Sequence, residues 1–186
     1  GAIDYMDGAS THPYDWDGKF DVPTYRAKVQ SFIDLFAEFG RPDMPIHLTE
    51  IGIRDHVEGG WGNANVAAAQ NIEYYAVTQA ENLGTVYQFS AINNYPNILW
   101  ENGSGEQRWG LLNHGNERVP FSARPAAIST MAYNKLIGNA EMVNCYTDDQ
   151  NLTYVYHFKR DLDGKDVIIY WTEYGSETFG LKLGTG

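Results

Sequence analysis

The order in which strand-like and helix-like segments follow one another constrains the fold of this chain more than any other feature. Three times within residues 1–139, a short run of small, aromatic or β-branched residues leads through a loop into a stretch with apolar residues at helical spacing. Alternation of this kind is the signature of parallel βαβ units. We therefore expect a parallel sheet with helices packed against it.

The three units differ in the signals that bound them. The first has a strand within 1–14 and a helix that begins at the N-cap Asp21 and stops at Gly40. The second has a strand at 45–53 and a helix over 66–83, which Asn63 or Asn65 caps. The third has a strand at 85–92, a loop over 93–123 and a helix over 125–137. A loop as long as the last one is usually functional in a compact domain.

After residue 139 the pattern changes from helical to strand-like. Segments 151–158 and 166–174 are rich in β-branched and aromatic residues, and the Asp163-Gly164 pair between them is a strong hairpin signal. A third strand is predicted at 178–183. The sequence thus predicts two domains, an α/β domain over 1–139 and an incomplete antiparallel sheet or small sandwich over 140–186.

Composition excludes several classes of partner. The net charge of −11 argues against nucleic acid, which requires a basic face. No apolar stretch approaches the roughly 20 residues that a membrane span needs. The chain is 14% aromatic, which suits a neutral ligand such as a sugar, and its single cysteine excludes an internal disulfide.

Two short motifs place polar side chains at predicted strand ends. Thr49-Glu50-Ile51-Gly52 closes the second strand on a carboxylate, and His12-Pro13-Tyr14 comes after the first strand. The carboxyl ends of parallel strands are where ligands and catalytic residues gather in α/β folds.

These motifs resemble those of the clan-A glycoside hydrolases, which are retaining (β/α)8 enzymes. Thr49-Glu50-Ile51-Gly52 is similar to their seventh strand, and His12-Pro13-Tyr14 is similar to the exit of their sixth. Trp109-Gly110-Leu111-Leu112, together with Arg124-Pro125, is similar to the segment after their eighth strand. The resemblance implies strands six to eight of a TIM barrel and an accessory β-domain, which together form the C-terminal part of a longer enzyme.

The resemblance also implies a role for each residue at these strand ends. Glu50 would be the nucleophile that cleaves a β-glycosidic bond in an oligo- or polysaccharide, and Tyr14 would donate a hydrogen bond to it. His12 would bind substrate hydroxyls or a neighbouring carboxylate. The acid/base of these enzymes lies in an Asn-Glu pair after strand four, whereas Asn116-Glu117 lies in the last long loop, so the resemblance implies an acid/base outside this chain.

Further residues are predicted to bind the sugar on the same face. Aromatic rings offer an apolar surface on which pyranose rings can stack. The predicted substrate-binding residues are Trp16, Trp61 and Trp100 in the loops, with Asn93 and Asn94 at the exit of the third strand, where many families place a tryptophan. No cofactor is expected, and an enzyme of this kind is expected to be secreted or periplasmic.

There are three alternative interpretations, and of these a metal site is not expected. His12, His47, Glu50 and His56 could be considered as metal ligands, but strict alternation along a strand would point His47 and Glu50 to opposite faces. The chain could instead bind carbohydrate without turnover, since fold does not fix function. Finally, it could associate with a missing barrel half or with a second chain, because three open parallel strands leave unpaired edges.

Overall fold

The computed structural model of the protein describes residues 1–14, 20–55, 64–93, 108–116 and 118–173. It is a mixed α/β structure with two separate three-stranded sheets. The first sheet is parallel, with strands β1 (Ala9–Thr11), β2 (Ile46–Ile51) and β3 (Val86–Gln88) in sequence order. The second is antiparallel, with β4 (Glu141–Asp148), β5 (Thr153–Lys159) and β6 (Asp166–Thr172).

Three helices accompany the parallel strands, and the first illustrates how local sequence sets its bounds. Helix α1 (Val22–Glu38) begins where predicted, because the carboxylate of Asp21 accepts a hydrogen bond of 2.9 Å from the amide of Thr24 and Pro23 occupies the first turn. Helix α2 (Ala64–Ala80) and helix α3 (Pro125–Leu136) come after β2 and β3, respectively. A short 3-10 helix, Ala2–Tyr5, precedes β1.

Within the described part of the chain, the helices cover one face of the parallel sheet and leave the other face open. Leu48 and Ile51 of β2 are buried in one hydrophobic cluster with residues of α1 and α2. On the opposite face, Thr49 and Tyr87 are exposed and line an open cavity of about 420 Å³. Parallel sheets are normally covered on both faces, so the open face sets this sheet apart.

The antiparallel sheet joins the same core through its middle strand. Tyr154, Tyr156 and Phe158 of β5 alternate towards one side and are buried in the cluster that also contains Tyr25 of α1 and Tyr74 of α2. Among the described residues, no helix is both long and apolar enough to cross a lipid bilayer.

The strands differ from their predicted bounds in two places. The third parallel strand covers Val86–Gln88 only, because beyond it the chain pairs with residues 109–112. Strand β4 was not predicted, and it forms an edge of the antiparallel sheet. Its side chains are mostly exposed, so its sequence lacks the apolar alternation that marks a half-buried strand. The strand predicted at 178–183 lies outside the described residues.

Candidate active site

The parallel strands end at one edge of the sheet, where the polar residues predicted from the sequence lie at the ends of the first two strands. His12 and Tyr14 come directly after β1, and Glu50 is the penultimate residue of β2. Because neighbouring parallel strands present their carboxyl ends at the same edge, side chains from different strands can meet there.

A β-bulge in β2 determines which way Glu50 points. Leu48 pairs with Val86 and Ile51 pairs with Gln88, so three steps along β2 correspond to two steps along β3. Regular alternation would turn Glu50 to the helix-covered side that Leu48 occupies. Because of the extra residue, Ile51 instead of Glu50 points to the helix-covered side. Ile51 is buried, whereas Glu50 is only half-buried. The bulge therefore frees the carboxylate from the core.

Tyr14 and Glu50 meet at this edge, as the sequence predicts for residues of one site. The hydroxyl of Tyr14 donates a hydrogen bond of 3.0 Å to Oε1 of Glu50. Burial, and then the hydrogen bond to Glu50 and its negative charge, raise the pKa of Tyr14 well above its usual value. Tyr14 therefore keeps its proton at neutral pH and remains a donor.

His12 lies at the same edge of the sheet, on its solvent side. Its Nε2 is 3.0 Å from Oγ1 of Thr49, the neighbour of Glu50 in the bulge. The imidazole is exposed to solvent. Its predicted role in binding hydroxyl groups remains a prediction.

Trp109 completes the surroundings of Tyr14, although its motif predicted no role for it in the site. Its ring meets that of Tyr14 edge to face, with centroids 5.0 Å apart at an angle of 74°. The ring of Phe89, at the exit of β3, has its centroid 6.3 Å from that of Trp109. The guanidinium of Arg54 lies over the ring of Trp109, 6.0 Å from its centroid. Three segments that are distant in sequence therefore converge behind the Tyr14–Glu50 pair.

Asn93 lies inside the protein, with 1% of its surface exposed. Its Oδ1 accepts hydrogen bonds from the amide of Gly110 at 2.8 Å and from Nη1 of Arg124 at 2.7 Å. The side-chain oxygen of Asn93 thereby holds two loop segments together. The predicted substrate-binding role of Asn93 remains a prediction.

A buried ion cluster surrounds Asn93. Asp55 is 2% exposed, and its two carboxylate oxygens contact Nη2 of Arg124 and, at 2.8 Å, Nε of Arg108. Burial lowers the pKa of Arg124. Because both oxygens of Asp55 are occupied, this carboxyl is unsuited to act as a proton donor to a ligand at Glu50. The cluster was not anticipated, since its members are far apart in sequence.

The other predicted substrate-binding residues, Trp16, Trp61, Asn94 and Trp100, lie outside the described residues. The same holds for His56, one of the four residues considered as metal ligands. Within the part of the chain that the structure describes, no three His, Cys, Asp or Glu side chains are grouped so that they could hold a metal ion. Strict alternation along β2 would have pointed His47 and Glu50 to opposite faces of the sheet. Because the bulge interrupts that alternation between Leu48 and Ile51, it does not apply to this pair.

Comparisons with known proteins give a likeness at the level of the fold. No protein-family model matches the chain, and no curated protein sequence matches it significantly. Among solved structures, it is similar to a family 39 glycoside hydrolase from the gut symbiont Bacteroides cellulosilyticus WH2, with a TM-score of 0.67 and 20% sequence identity. The match covers 92% of this chain and 35% of that one, so this chain spans about a third of the enzyme's length. Family 39 belongs to clan A, and the fold is consistent with part of such an enzyme.

Proposed function

We propose that the protein contributes the nucleophile half of a retaining glycoside hydrolase that cleaves β-glycosidic bonds in an oligo- or polysaccharide. The hydrogen bond from Tyr14 to Glu50 carries this proposal. Glu50 provides a carboxylate at the exit of a strand, and the bulge turns that carboxylate away from the core. Tyr14 keeps its proton and orients the carboxylate through the hydrogen bond. These are the properties that a carboxylate nucleophile needs.

In the proposed reaction, an oxygen of Glu50 attacks the anomeric carbon while the bond to the leaving oxygen breaks. The product of this step is a glycosyl ester of Glu50, which water then hydrolyses with net retention. Because the hydroxyl of Tyr14 bonds one oxygen of Glu50, it leaves the other oxygen for the attack. A retaining enzyme also needs a second carboxyl about 5 to 5.5 Å away as acid and base, and we assign that group to residues outside this chain.

We further propose that the parallel sheet is an arc of a (β/α)8 barrel, corresponding to strands six to eight. The likeness to a family 39 enzyme supports this assignment, as does the open face of the sheet. Within the described residues, β1 and β3 each pair on one side only. Helix α3 also exposes Ile128 and Met131, which lie one turn apart. Further βα units, from the remainder of a longer chain or from a second chain, would cover these surfaces.

Covalent trapping tests the nucleophile without requiring the acid. Dinitrophenyl 2-deoxy-2-fluoro-β-glycosides carry a leaving group that departs without protonation, and the fluorine slows hydrolysis of the glycosyl ester. A panel of gluco, galacto, xylo and manno probes should add one sugar to the protein, and peptide mass spectrometry should place it on Glu50. Glu50→Gln should abolish labelling, whereas Glu38→Gln, at the exposed end of α1, should label like the wild type.

Two outcomes would contradict the proposal. Labelling on a residue other than Glu50 would remove the assignment of the nucleophile. A folded protein that none of the probes labels, but that binds oligosaccharides in calorimetry, would be a carbohydrate-binding protein without turnover.

A further inference from the structure

The hydrogen bond from Tyr14 to Glu50 depends on where the tyrosine ring is held. The backbone of Tyr14 is fixed on both sides, because its amide donates to the carbonyl of His12 at 2.9 Å and its carbonyl accepts from Nζ of Lys28 at 2.7 Å. These contacts fix the Cα position but not the side-chain torsions. A ring has several staggered positions about χ1, so a neighbouring side chain must select the one that reaches Glu50.

Trp109 is placed to make that selection. Its edge-to-face contact with Tyr14 has the geometry that aromatic pairs prefer, and only 8% of Trp109 is exposed. Phe89 and Arg54 pack around the indole. Because these neighbours confine the indole, its packing against the ring of Tyr14 can restrict the orientation of that ring.

The backbone that carries Trp109 is anchored on each side of the indole. The carbonyl of Trp109 accepts from the amide of Ser90 at 3.2 Å, and the carbonyl of Gly110 accepts from Nη1 of Arg124 at 2.8 Å. Gly110 lies so close to its neighbour that a Cβ there would be 2.1 Å from the amide nitrogen of Asn93. A side chain at position 110 would therefore displace this segment from Asn93.

Arg124 extends this anchor into the buried ion cluster. Its guanidinium contacts Asp55, the side-chain oxygen of Asn93 and the carbonyl of Gly110 at once. The fork of the guanidinium suits several acceptors in fixed directions, which a lysine could not match. The cluster thereby joins the loop after β2, the exit of β3 and the start of α3.

We propose that Trp109 is a positioning residue of the candidate site, which holds the ring of Tyr14 so that its hydroxyl donates to Glu50. The Asp55–Arg124 pair anchors the segment that carries Trp109. The functional meaning of this arrangement rests on the proposed role of Glu50 as nucleophile, but the arrangement itself can be tested without any turnover.

NMR of the protein with ¹³Cζ-labelled tyrosine tests the coupling directly. Tyr14→Phe identifies the Tyr14 signal, and Glu50→Gln should shift that signal because a neutral amide replaces the charged acceptor. In the Trp109→Leu background, Glu50→Gln should shift the Tyr14 signal by at most half as much. In the Trp109→Phe background, which keeps an aromatic edge, the full shift should return. Trp171→Leu is the matched control, since Trp171 stacks on Tyr156 in the antiparallel sheet, and it should leave the shift unchanged.

Labelling by the fluoroglycosides provides a second readout that separates this proposal from the proposed function. Tyr14→Phe should slow the labelling of Glu50 by about tenfold or more, the scale of a hydrogen bond to a charged group. Trp109→Leu should slow it similarly in the wild-type background and by less than twofold in the Tyr14→Phe background, because it acts through Tyr14.

If Glu50→Gln shifts the Tyr14 signal as much in the Trp109→Leu background as in the wild type, the positioning role is overturned, whatever the labelling shows. If the coupling behaves as expected but no probe labels the wild type, the positioning role stands and the proposed function fails. Should Trp109→Leu not fold, as judged by circular dichroism, Trp109→Met tests the same loss of the aromatic edge.

Discussion

At the residue scale, Gly52 shows why a glycine comes directly after the candidate nucleophile strand. A Cβ at this position would lie 2.1 Å from the carbonyl oxygen of Phe89 and 2.7 Å from Nε2 of Gln88. Gly52→Ala should therefore push the exit of β3 away and cost about 1 to 3 kcal/mol of stability, as overpacking does. Urea unfolding would measure this change.

Gly8→Ala is a suitable comparison for that substitution, because its nearest contacts are 3.3 Å from the added Cβ. It should lower the free energy of unfolding by less than Gly52→Ala does. Equal stabilities for Gly52→Ala and the wild type would show that the two strand exits are not packed as closely as the structure has them.

Residue-level prediction from the sequence succeeded where a motif carried the information and failed where the information was three-dimensional. The resemblance of two motifs to clan-A enzymes implies a hydrogen bond from Tyr14 to Glu50, and the structure contains it. The bulge at residues 49 and 50 could not be read from one strand, because it is a mismatch between β2 and β3. The burial of Asn93 results from its contact with Arg124, which a predicted loop gives no means to anticipate.

At the scale of single elements, the cap of α1 allows a quantitative prediction. Asp21→Ala removes the acceptor for the amide of Thr24, and N-cap losses of this kind cost about 1 kcal/mol. For a chain of this length the melting temperature should fall by about 2 to 4 °C. Asp21→Asn retains an acceptor and should stay close to the wild type in the same thermal scan. If both variants melt together, the hydrogen bond to Thr24 does not stabilise the helix.

Elements with strong local signals were predicted well, and those that depend on their partners were not. Helices α1 and α3 start within two residues of their predicted caps, since Asp21, Pro23 and Pro125 act locally. Strand β4 exists because β5 pairs with it along its length. Its own exposed side chains carry little of the periodicity on which sequence prediction relies.

At the scale of the whole molecule, the two sheets share one core that is unusually rich in tyrosine. Tyr25, Tyr74 and Tyr154 are completely buried, and Tyr156 is 2% exposed. The alternation of strands and helices predicted the parallel sheet and the hairpin predicted the antiparallel one. The packing of β5 against α1 and α2 was not predictable, since it joins segments that no short-range pattern connects.

This core makes the protein sensitive to alkaline pH. Burial raises the pKa of each of these four tyrosines above its usual value near 10. Their stabilising contribution is therefore complete below the pKa of the unfolded chain, and it is lost as pH rises towards the folded values. Each tyrosine that ionises only in the unfolded chain lowers stability by about 1.4 kcal/mol per pH unit. Four together remove about 5 to 6 kcal/mol per unit, which is comparable to the whole stability of many domains.

We therefore expect cooperative unfolding one to two pH units above about pH 10. Tyrosinate absorbance recorded together with circular dichroism measures this coupling between ionisation and unfolding. The buried tyrosines should ionise only as the circular dichroism signal is lost, because their ionisation and the collapse of the shared core are one event. Full ionisation of all tyrosines in a protein that retains its native signal would contradict the burial of this cluster between the two sheets.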